Sequence, residues 1–299
     1  MDHRPPQITK PAKAWRIEAI ENSAELLEVL REEIDRLSVD GRVDIPPLPQ
    51  VAVELNGIAS SANPDIKRAE ELVSRDSTLA GRVLSVASSV AYGSTRPISK
   101  IRQAIVRIGI SGLRDIAFAL MMGKVFRCGA LDGKMAAENR RAYIMACTTS
   151  AICRLLRTEH EYGFLCGLLA DIGRVALLAK LAQLGKDNDN WLRDDVVPAV
   201  LDDLHPQMGA LVIKNWRLPD VICSVARYHH LPQKAGAAMP IALAAAAAHH
   251  AMNVEGSDLE QRIDGISANA APFQAGLAAG QIRAVALAVV QAEAAASVF

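Results

Sequence analysis

The sequence predicts an all-α fold, and three of its features carry that prediction. Apolar residues recur at three- and four-residue steps along most of the 299-residue chain, as they do on one face of a helix. Hydrophobic residues make up 51% of the chain but aromatic residues only 4%, and a core of Ala, Leu, Val and Ile favours closely packed helices. No segment alternates apolar and polar residues as a half-buried strand does.

Charge and cysteine content narrow the classes of function. Thirty-three Lys and Arg balance thirty-three Asp and Glu, and the pI is near 7.1. Such a chain has no overall field that attracts nucleic acid or anionic lipid, so a nucleic-acid partner is not expected. The five cysteines include no CxxC pair, which argues against a disulfide framework or a zinc knuckle and favours a reducing compartment.

The chain is expected to be cytoplasmic and not to enter a membrane. Its first residues, Met-Asp-His-Arg-Pro-Pro, have no apolar stretch behind a basic start, unlike a secretory signal. The most apolar windows, 164–184 and 241–252, are interrupted by charge or too short to span a bilayer.

Proline positions divide the chain into three predicted parts. Residues 1–14 are expected to form a loose tail, and residues 17–37 a helix with one apolar and one acidic face. The Pro-rich connector 45–49 excludes helix. We predict a main domain at 44–253, preceded by residues 1–43 and followed by an Ala-rich helical extension at 254–299, and we divide the domain into lobes 44–130 and 131–253.

Helix boundaries follow from caps, glycines and prolines. Asp65 and Asp76 are predicted N-caps, and Gly109 is predicted to end a helix. Three later segments begin with proline, which suits the first helical position. The predicted helices after the connector are 51–60, 66–74, 77–91, 101–109, 112–126, 136–157, 162–184, 191–203, 206–216, 219–230, 240–252 and 274–298.

Asp171 is the most informative single residue. Within the predicted helix 162–184 it falls in register with Leu168 and Val175, which directs its carboxylate toward the core. An ionised carboxylate buried alone is unfavourable by several kcal/mol, so it must meet a cation, a metal, an imidazole or several hydrogen-bond donors. A carboxylate bonded to helix ends or to a buried His is favoured here over a metal ligand.

Histidines further along the chain are candidate partners of this carboxylate. His229 lies on the apolar side of its predicted helix, His230 follows it, and His205 precedes a proline at a predicted cap position. Neutral imidazoles and one Asp from separate helices suit zinc, manganese or iron. A buried His that is simply hydrogen-bonded is the commoner arrangement, and both interpretations stay open. His249 and His250, which follow five alanines, are interpreted as a helix end.

Basic residues at steps of four and seven form a candidate phosphate-binding stripe of Arg96, Lys100, Arg107 and Arg114. Such a stripe could hold the phosphates of a nucleotide or of RNA. Because no aromatic residues interleave for base stacking, a solvated helix face is the favoured interpretation.

Several short motifs follow one another in order: Leu48-Pro49, Asp76-Ser77-Thr78-Leu79-Ala80, Ile98-Ser99-Lys100-Ile101, Gly167-Leu168-Leu169-Ala170-Asp171, His205-Pro206 and Tyr228-His229-His230. Each is weak alone, but the ordered set, from about residue 44 to residue 251, resembles the HDOD family. The resemblance implies an HD-domain-like multi-helix bundle, related to metal-dependent phosphohydrolases, with an N-terminal lobe of short helices.

The resemblance also implies a metal-ligand set that this chain keeps only in part. In HD-type hydrolases His residues, a His-Asp pair and a final Asp hold the metal; here Ala170 replaces the His of the pair and Met145 the first His, and residues 239–255 contain no Asp. We therefore expect a degenerate site with no catalytic residue and no metal. If a metal is retained, we expect Mn, Fe, Zn or Ni, held by Asp171, His205, His229 and His230.

HDOD proteins are regarded as regulatory modules of bacterial signalling, often connected with cyclic dinucleotides. The resemblance thus implies a noncatalytic output module that binds a signalling protein, with the terminal Ala-rich helix as a candidate homodimer contact. Two alternatives stay open. One is a metal-dependent phosphohydrolase that uses the reduced ligand set. The other is a module that senses a nucleotide, such as a cyclic dinucleotide, in the old metal cavity, with the phosphates held by the basic stripe.

Overall fold

The fold is helical throughout the residues that the structure describes. The computed structural model describes residues 23–40, 45–88, 97–126, 129–158, 161–186, 189–256 and 258–296. No β-strand occurs in these ranges, which confirms the all-α prediction. None of the helices in them is both long and apolar enough to cross a lipid bilayer. The predicted tail 1–14 and the start of the first predicted helix lie outside the described residues.

Fourteen α-helices follow one another in the described ranges, connected by turns and short 3₁₀ segments. They are α1 Ser23–Asp40, α2 Gln50–Ala59, α3 Ile66–Ser74, α4 Ser77–Ala87, α5 Ile101–Val125, α6 Asp132–Leu156, α7 Gly163–Ala170, α8 Ile172–Leu184, α9 Val196–Asn215, α10 Asp220–Tyr228, α11 Met239–Met252, α12 Leu259–Ser267, α13 Ala271–Gln274 and α14 Ala279–Ala296.

Helices α2 to α5 lie in the predicted first lobe, and side-chain caps determine where two of them begin. The Asp65 carboxylate accepts a hydrogen bond from the backbone N–H of Arg68 at 2.9 Å, at the start of α3. The Asp76 carboxylate accepts from the backbone N–H groups of Thr78 and Leu79 at 2.9 and 3.0 Å, at the start of α4. Each cap satisfies donors that a helix start leaves unpaired and contributes about 1 kcal/mol. Both predicted caps are confirmed.

Gly109 introduces a kink that divides α5 into two helical segments. Its backbone angles (φ 77°, ψ 166°) are non-helical, and an L side chain is strained at such a positive φ. The predicted helix end at this glycine is confirmed, although helical hydrogen bonding resumes directly after it.

Two predicted boundaries in the second lobe, α6 to α11, are wrong, and both corrections affect the candidate site. The predicted single helix 162–184 is two helices, α7 and α8, which meet at Asp171. The predicted helix 206–216 does not start at Pro206, because α9 continues through this residue. His205 therefore lies inside a helix and not at a cap.

Pro206 is tolerated inside α9 because packing outweighs its local effect. Proline in a helix interior removes one backbone hydrogen bond and destabilises by about 3 kcal/mol. Fully burying one large aliphatic side chain contributes roughly 1.5–3 kcal/mol. Against α1, α8 and α10, α9 buries Val196, Val197, Val200, Leu201, Leu204, Met208, Val212 and Ile213. The predicted helix 191–203 accordingly merges into α9, after a 3₁₀ turn at Asp189–Leu192.

The helices at both ends of the chain pack on the second lobe of their own chain. α1 lies along α9 and buries Leu26, Leu30 and Ile34. α14 lies along α6. It begins at Ala279 and not at the predicted residue 274, because α13 ends in a turn that contains Gly276 at φ 97°.

Two glycines allow helices of the second lobe to approach closely. A Cβ atom at Gly167 would lie 2.7 Å from the Ala146 Cα atom in α6. A Cβ atom at Gly173 would lie 2.6 Å from the Gly209 backbone nitrogen in α9 and would overlap the His205 carbonyl oxygen. α8 and α9 therefore touch through their backbones, close to the α7–α8 junction.

Replacing Gly173 by Ala is expected to destabilise the fold by roughly 1–3 kcal/mol, because the added methyl group pushes α8 away from α9. Gly81→Ala in α4 is the matched control, because a Cβ atom at residue 81 meets no atom within 4 Å. This control is expected to stabilise by about 0.5–1 kcal/mol, since Ala suits a helix interior better than Gly. Urea unfolding followed by circular dichroism measures both changes, and a Gly173→Ala variant as stable as the wild type would contradict the close contact.

Candidate metal centre

Asp171 stands at the junction of α7 and α8 as a buried acceptor. Its carboxylate makes no side-chain cap hydrogen bond to either helix, although Asp next to a helix start commonly does so. Its side chain is 8% exposed, and its Oδ1 atom has no hydrogen-bond partner among the described residues. The break between the helices thus brings a carboxylate oxygen into the interior without a cap hydrogen bond from either helix.

His205 and His229 are oriented by the backbone one turn before them. The Nδ1 atom of His205 lies 2.7 Å from the Leu201 carbonyl oxygen, and the Nδ1 atom of His229 lies 3.2 Å from the Val225 carbonyl oxygen. A carbonyl oxygen only accepts, so this geometry assigns the donated proton to each Nδ1 atom. In the neutral imidazole the Nε2 atom then carries a lone pair, which is the form that binds metals.

The Nε2 atoms converge on the carboxylate of Asp171. Those of His205 and His229 lie 3.4 and 3.2 Å from Asp171 Oδ1 and 3.4 Å from each other. The exposed His230 adds its Nε2 atom at 3.1 Å from that of His205. The structure therefore brings together all four residues that the sequence singled out, with one ligand-type atom from each within 4.8 Å of the others.

When both Nε2 atoms are unprotonated, this convergence places three electron pairs face to face. A carboxylate oxygen and two unprotonated ring nitrogens repel one another, and burial strengthens the repulsion by lowering the effective dielectric constant. An additional proton or a metal cation among them relieves the repulsion. With neutral imidazoles the cluster carries one negative charge, which favours a divalent cation.

Burial and the contacts within the cluster together determine which of its side chains are charged. Burial is the largest cause that lowers the pKa of His205, to about 4, and it also lowers the pKa of His230 and His249. Burial alone raises the pKa of Asp171, but a hydrogen bond that His229 donates when protonated and the positive charge that His229 and His205 carry when protonated outweigh burial, and the net pKa lies well below its usual range. At neutral pH the carboxylate is ionised and His205 is neutral, as metal binding requires.

The spacing of the ligand atoms fits a transition-metal ion. Two ligands that lie about 2.0–2.1 Å from one ion stand about 2.8–3.0 Å apart at right angles in octahedral geometry and about 3.3–3.4 Å apart in tetrahedral geometry. Four separations in the cluster are 3.1–3.4 Å and lie in or between these ranges. Imidazole nitrogens with one carboxylate oxygen suit zinc, iron or nickel, and manganese less well. The residues present fit such an ion, and the expectation of a site without metal is not confirmed.

Helices α6 and α7 supply no ligand at the two positions where the resemblance implies histidines. Ala170, the last residue of α7, and Met145 in α6 are both buried. Alanine has no donor atom, and a thioether is a poor ligand for the hard ions of phosphoryl chemistry. The ligand-type atoms come instead from the α7–α8 junction, from α9 and from the turn after α10.

His249 also faces the cluster, which the sequence interpretation missed. Its ring centroid lies 4.9 Å from that of His230 and 6.1 Å from that of His229. The predicted helix end is confirmed, because both His249 and His250 occupy the last turn of α11. The sequence did contain a signal for His249. The resemblance implies the last ligand between residues 239 and 255, and imidazole binds metals as carboxylate does.

Of the candidate phosphate-binding stripe Arg96, Lys100, Arg107 and Arg114, the described members do not share one exposed face. Arg114 is buried, and its guanidinium donates to the Asp115 carboxylate and, at 2.7 Å, to the Glu161 carbonyl oxygen. Lys100 and Arg107 are exposed, whereas Arg96 lies outside the described residues. The kink at Gly109 separates Lys100 and Arg107 from Arg114.

An all-helical bundle with a cluster of His and Asp at its centre is typical of the HD-type domains. The family model of the HDOD domain matches residues 45–232. The match covers α2 to α10 and the four clustered residues. The chain belongs to the HDOD family, and the resemblance stated above is confirmed.

Solved structures share this fold. An HDOD domain protein of unknown function from Geobacter sulfurreducens is 20% identical, with a TM-score of 0.63 over 90% of this chain and 97% of that chain. A structure from Shewanella amazonensis, described as a proposed metal-dependent phosphohydrolase, is 19% identical, with a TM-score of 0.62 over 92% of this chain and 100% of that chain. A proposed signal transduction protein from Marinobacter aquaeolei is 18% identical, with a TM-score of 0.63 over 96% of this chain and 67% of that chain. At such identities the likeness shows the fold alone.

One curated relative, an uncharacterized protein from Treponema pallidum, is 24% identical over 206 residues. The match covers 64% of this chain and 39% of that protein. The chain therefore spans less than half the length of this relative.

The neutral state of His205 gives the stability of the metal-free protein a pH dependence of definite sign. The unfolded chain protonates this residue below pH of about 6.5, but in the folded chain burial outweighs the attraction of Asp171 and lowers the pKa of His205 to about 4. Between these values the unfolded state binds more protons, so the free energy of unfolding decreases as the pH falls. His205→Gln does not titrate, and the difference in Tm between wild type and variant is expected to narrow from pH 6.5 to pH 4.5.

Thermal unfolding of the chelator-treated proteins measures this difference. The pKa of Asp115 is raised to about 6, mainly by burial, so this residue makes the fold more stable as the pH falls. Both proteins contain Asp115, and its contribution therefore cancels in the difference. A difference in Tm that stays constant over this range would show that His205 is not held neutral by the fold.

Proposed function

We propose that this chain is a noncatalytic regulatory module of bacterial signalling that acts in the cytoplasm through a protein partner. In this proposal the Asp171 cluster holds one divalent transition metal, Mn, Fe, Zn or Ni, as a structural element of the second lobe. One observation supports the proposed metal. Asp171 Oδ1 and the Nε2 atoms of His205 and His229 are buried ligand-type atoms within 3.4 Å of one another.

The metal would supply positive charge that turns this mutual repulsion into attraction. Asp171 and His205 would hold it from the α7–α8 junction and α9, and His229 and His230 from the turn after α10. The backbone hydrogen bonds of His205 and His229 would keep both rings in the ligating orientation. These residues would thus join three separate segments of the second lobe.

A noncatalytic role is supported by the residues that replace ligands. Hydrolysis by a metal needs a ligand set that also leaves positions for substrate and water. Ala170 and Met145 leave the α6 and α7 side of the site apolar and buried. The structural neighbour from Marinobacter aquaeolei is described as a proposed signal transduction protein, which agrees with a regulatory role.

A metal-dependent phosphohydrolase that uses the four reduced ligands is the second candidate. The observation that favours it is the exposure of His230, because a metal beside this residue would lie close to solvent. The neighbour from Shewanella amazonensis is described as a proposed enzyme of that class. The nucleotide-sensing alternative loses one of its phosphate-binding candidates, because buried Arg114 cannot present its guanidinium to a phosphate in solvent.

The protein partner is proposed to be another signalling protein or a second copy of this chain. On α14, Leu287 and Val290 are each 40% exposed although both are large and apolar. They lie three residues apart and therefore on one face of the helix. This face supports a contact through the Ala-rich helix, as the sequence suggested.

Metal analysis of the untagged protein, purified without chelator, tests the metal site. We expect about one divalent transition metal per chain by ICP-MS, and less than a tenth of that in Asp171→Ala, because the variant removes the only charged ligand. Asp194→Ala is the matched control, because this carboxylate is 99% exposed, and it should keep the wild-type metal content. A wild-type protein without metal would contradict the proposed site.

A phosphodiesterase assay separates the two candidate functions. The metal-loaded protein and Asp171→Ala are compared on bis-(p-nitrophenyl) phosphate and on cyclic dinucleotides. We expect the same background rate from both proteins, because the ligands on the α6 and α7 side are missing. Hydrolysis by the wild type that Asp171→Ala abolishes would overturn the noncatalytic proposal and establish the phosphohydrolase.

A further inference from the structure

The four imidazoles near Asp171 fall into an inner and an outer pair. In the inner pair, His205 and His229, each Nδ1 atom is hydrogen-bonded to a backbone carbonyl oxygen. In the outer pair, His230 and His249, no ring nitrogen bonds a backbone group among the described residues, and the His249 ring makes no hydrogen bond to any of them. The outer rings can therefore turn without breaking a backbone contact.

The ring of His249 is spaced like the rings of ligands to one ion. If an imidazole binds at about 2.1 Å, its centroid lies about 3.2 Å from the ion, so two such centroids stand about 4.6 Å apart at right angles and about 6.4 Å apart on opposite sides. The His249 centroid lies 4.9 Å from that of His230, with the ring planes at 88°, and 6.1 Å from that of His229. The His205 centroid lies 5.4 and 5.1 Å from the same two rings. His229 and His230 stand closer to each other, at 4.0 Å, whereas His205 and His249 both lie 4.9–6.1 Å from these two rings.

The charged groups around His249 leave its imidazole available. Asp171, His229, Arg141 and Arg174 are the groups that act on it electrostatically. Arg141 and Arg174 are cations and cannot accept a hydrogen bond from the ring. Both are already bonded at 2.7–3.0 Å, to the side chains of Asn253, Glu138 and Asp202.

We infer that His249 is a fifth ligand of the proposed metal, contributed by α11 on the side of the cluster opposite His229. The inference rests on the proposed metal site and specifies its ligand set. Four imidazoles and one carboxylate leave an octahedral ion a single remaining position. Such a site is nearly closed, as structural metal sites are, whereas catalytic sites keep positions open for water and substrate. The metal would then connect α11, and the C-terminal helices packed on it, to α9 and α10.

Co²⁺ is the probe that tests this inference, because its visible absorption reports the ligands and the coordination geometry. The full-length untagged chain is stripped of metal with chelator and titrated with Co²⁺. His249→Ala is expected to weaken Co²⁺ binding by at least about tenfold and to change the absorption bands. His250→Ala is the matched control, because it is the next residue of the same helix, is similarly half-buried and has no described ring contact with the cluster. This control should reproduce the wild-type affinity and spectrum.

The outcomes separate the inference from the proposed metal site. Wild-type affinity and wild-type bands in folded His249→Ala would overturn the fifth ligand and leave the four-residue site standing. A wild-type chain that takes up no Co²⁺ would overturn the metal site and the inference together. If His249→Ala is unfolded by circular dichroism, His249→Asn replaces it. This variant keeps a polar side chain, and bands identical to the wild type would again overturn the inference.

Discussion

The buried carboxylate of Asp171 is the constraint on which the second lobe depends. A buried negative charge without compensation destabilises a fold by several kcal/mol, so the elements around it must supply positive charge or donors. The break between α7 and α8 brings the carboxylate inward, and the glycine contact between α8 and α9 brings His205 to it. The same contact requires glycine at residue 173, since any side chain there would separate the two helices.

The two sides of the site have different chemical character. The side formed by α9 and the turn after α10 keeps imidazoles whose Nδ1 atoms are anchored to backbone oxygens, an arrangement typical of metal ligands. The side formed by α6 and α7 has Met145 and Ala170, which are buried and apolar. A site without ligands from α6 and α7 can still hold an ion. In the proposed function, metal binding without catalysis would suit a module that regulates through its surface.

The peripheral helices connect this centre to surfaces that a partner could contact. α1 packs on α9, the helix that carries His205, and α14 packs on α6. α11 carries His249 and contacts α12, α13 and α14. Close packing transmits a displacement of one helix to its neighbours. A change in the metal occupancy of the Asp171 cluster would therefore displace these helices. Arg114 joins the lobes, since it lies in α5 and bonds the Glu161 carbonyl oxygen just before α7.

The sequence by itself determined the features whose causes are local. The helix starts at Asp65 and Asp76 rest on hydrogen bonds to residues two or three positions away, and the kink at Gly109 rests on a backbone conformation that glycine adopts easily. The family, the all-α fold and the grouping of Asp171 with three histidines were also readable, because motif order and apolar register are properties of the chain.

Only the tertiary structure decided the features that depend on packing between distant segments. α9 continues through Pro206 because burial of its apolar residues outweighs one lost hydrogen bond. Arg114 is buried, and not part of a stripe, because the Glu161 carbonyl oxygen and Asp115 accept its hydrogen bonds there. His249 faces the cluster because α11 packs beside α10. Periodicity describes one helix at a time, whereas each of these outcomes is set by the free energy of contacts between helices.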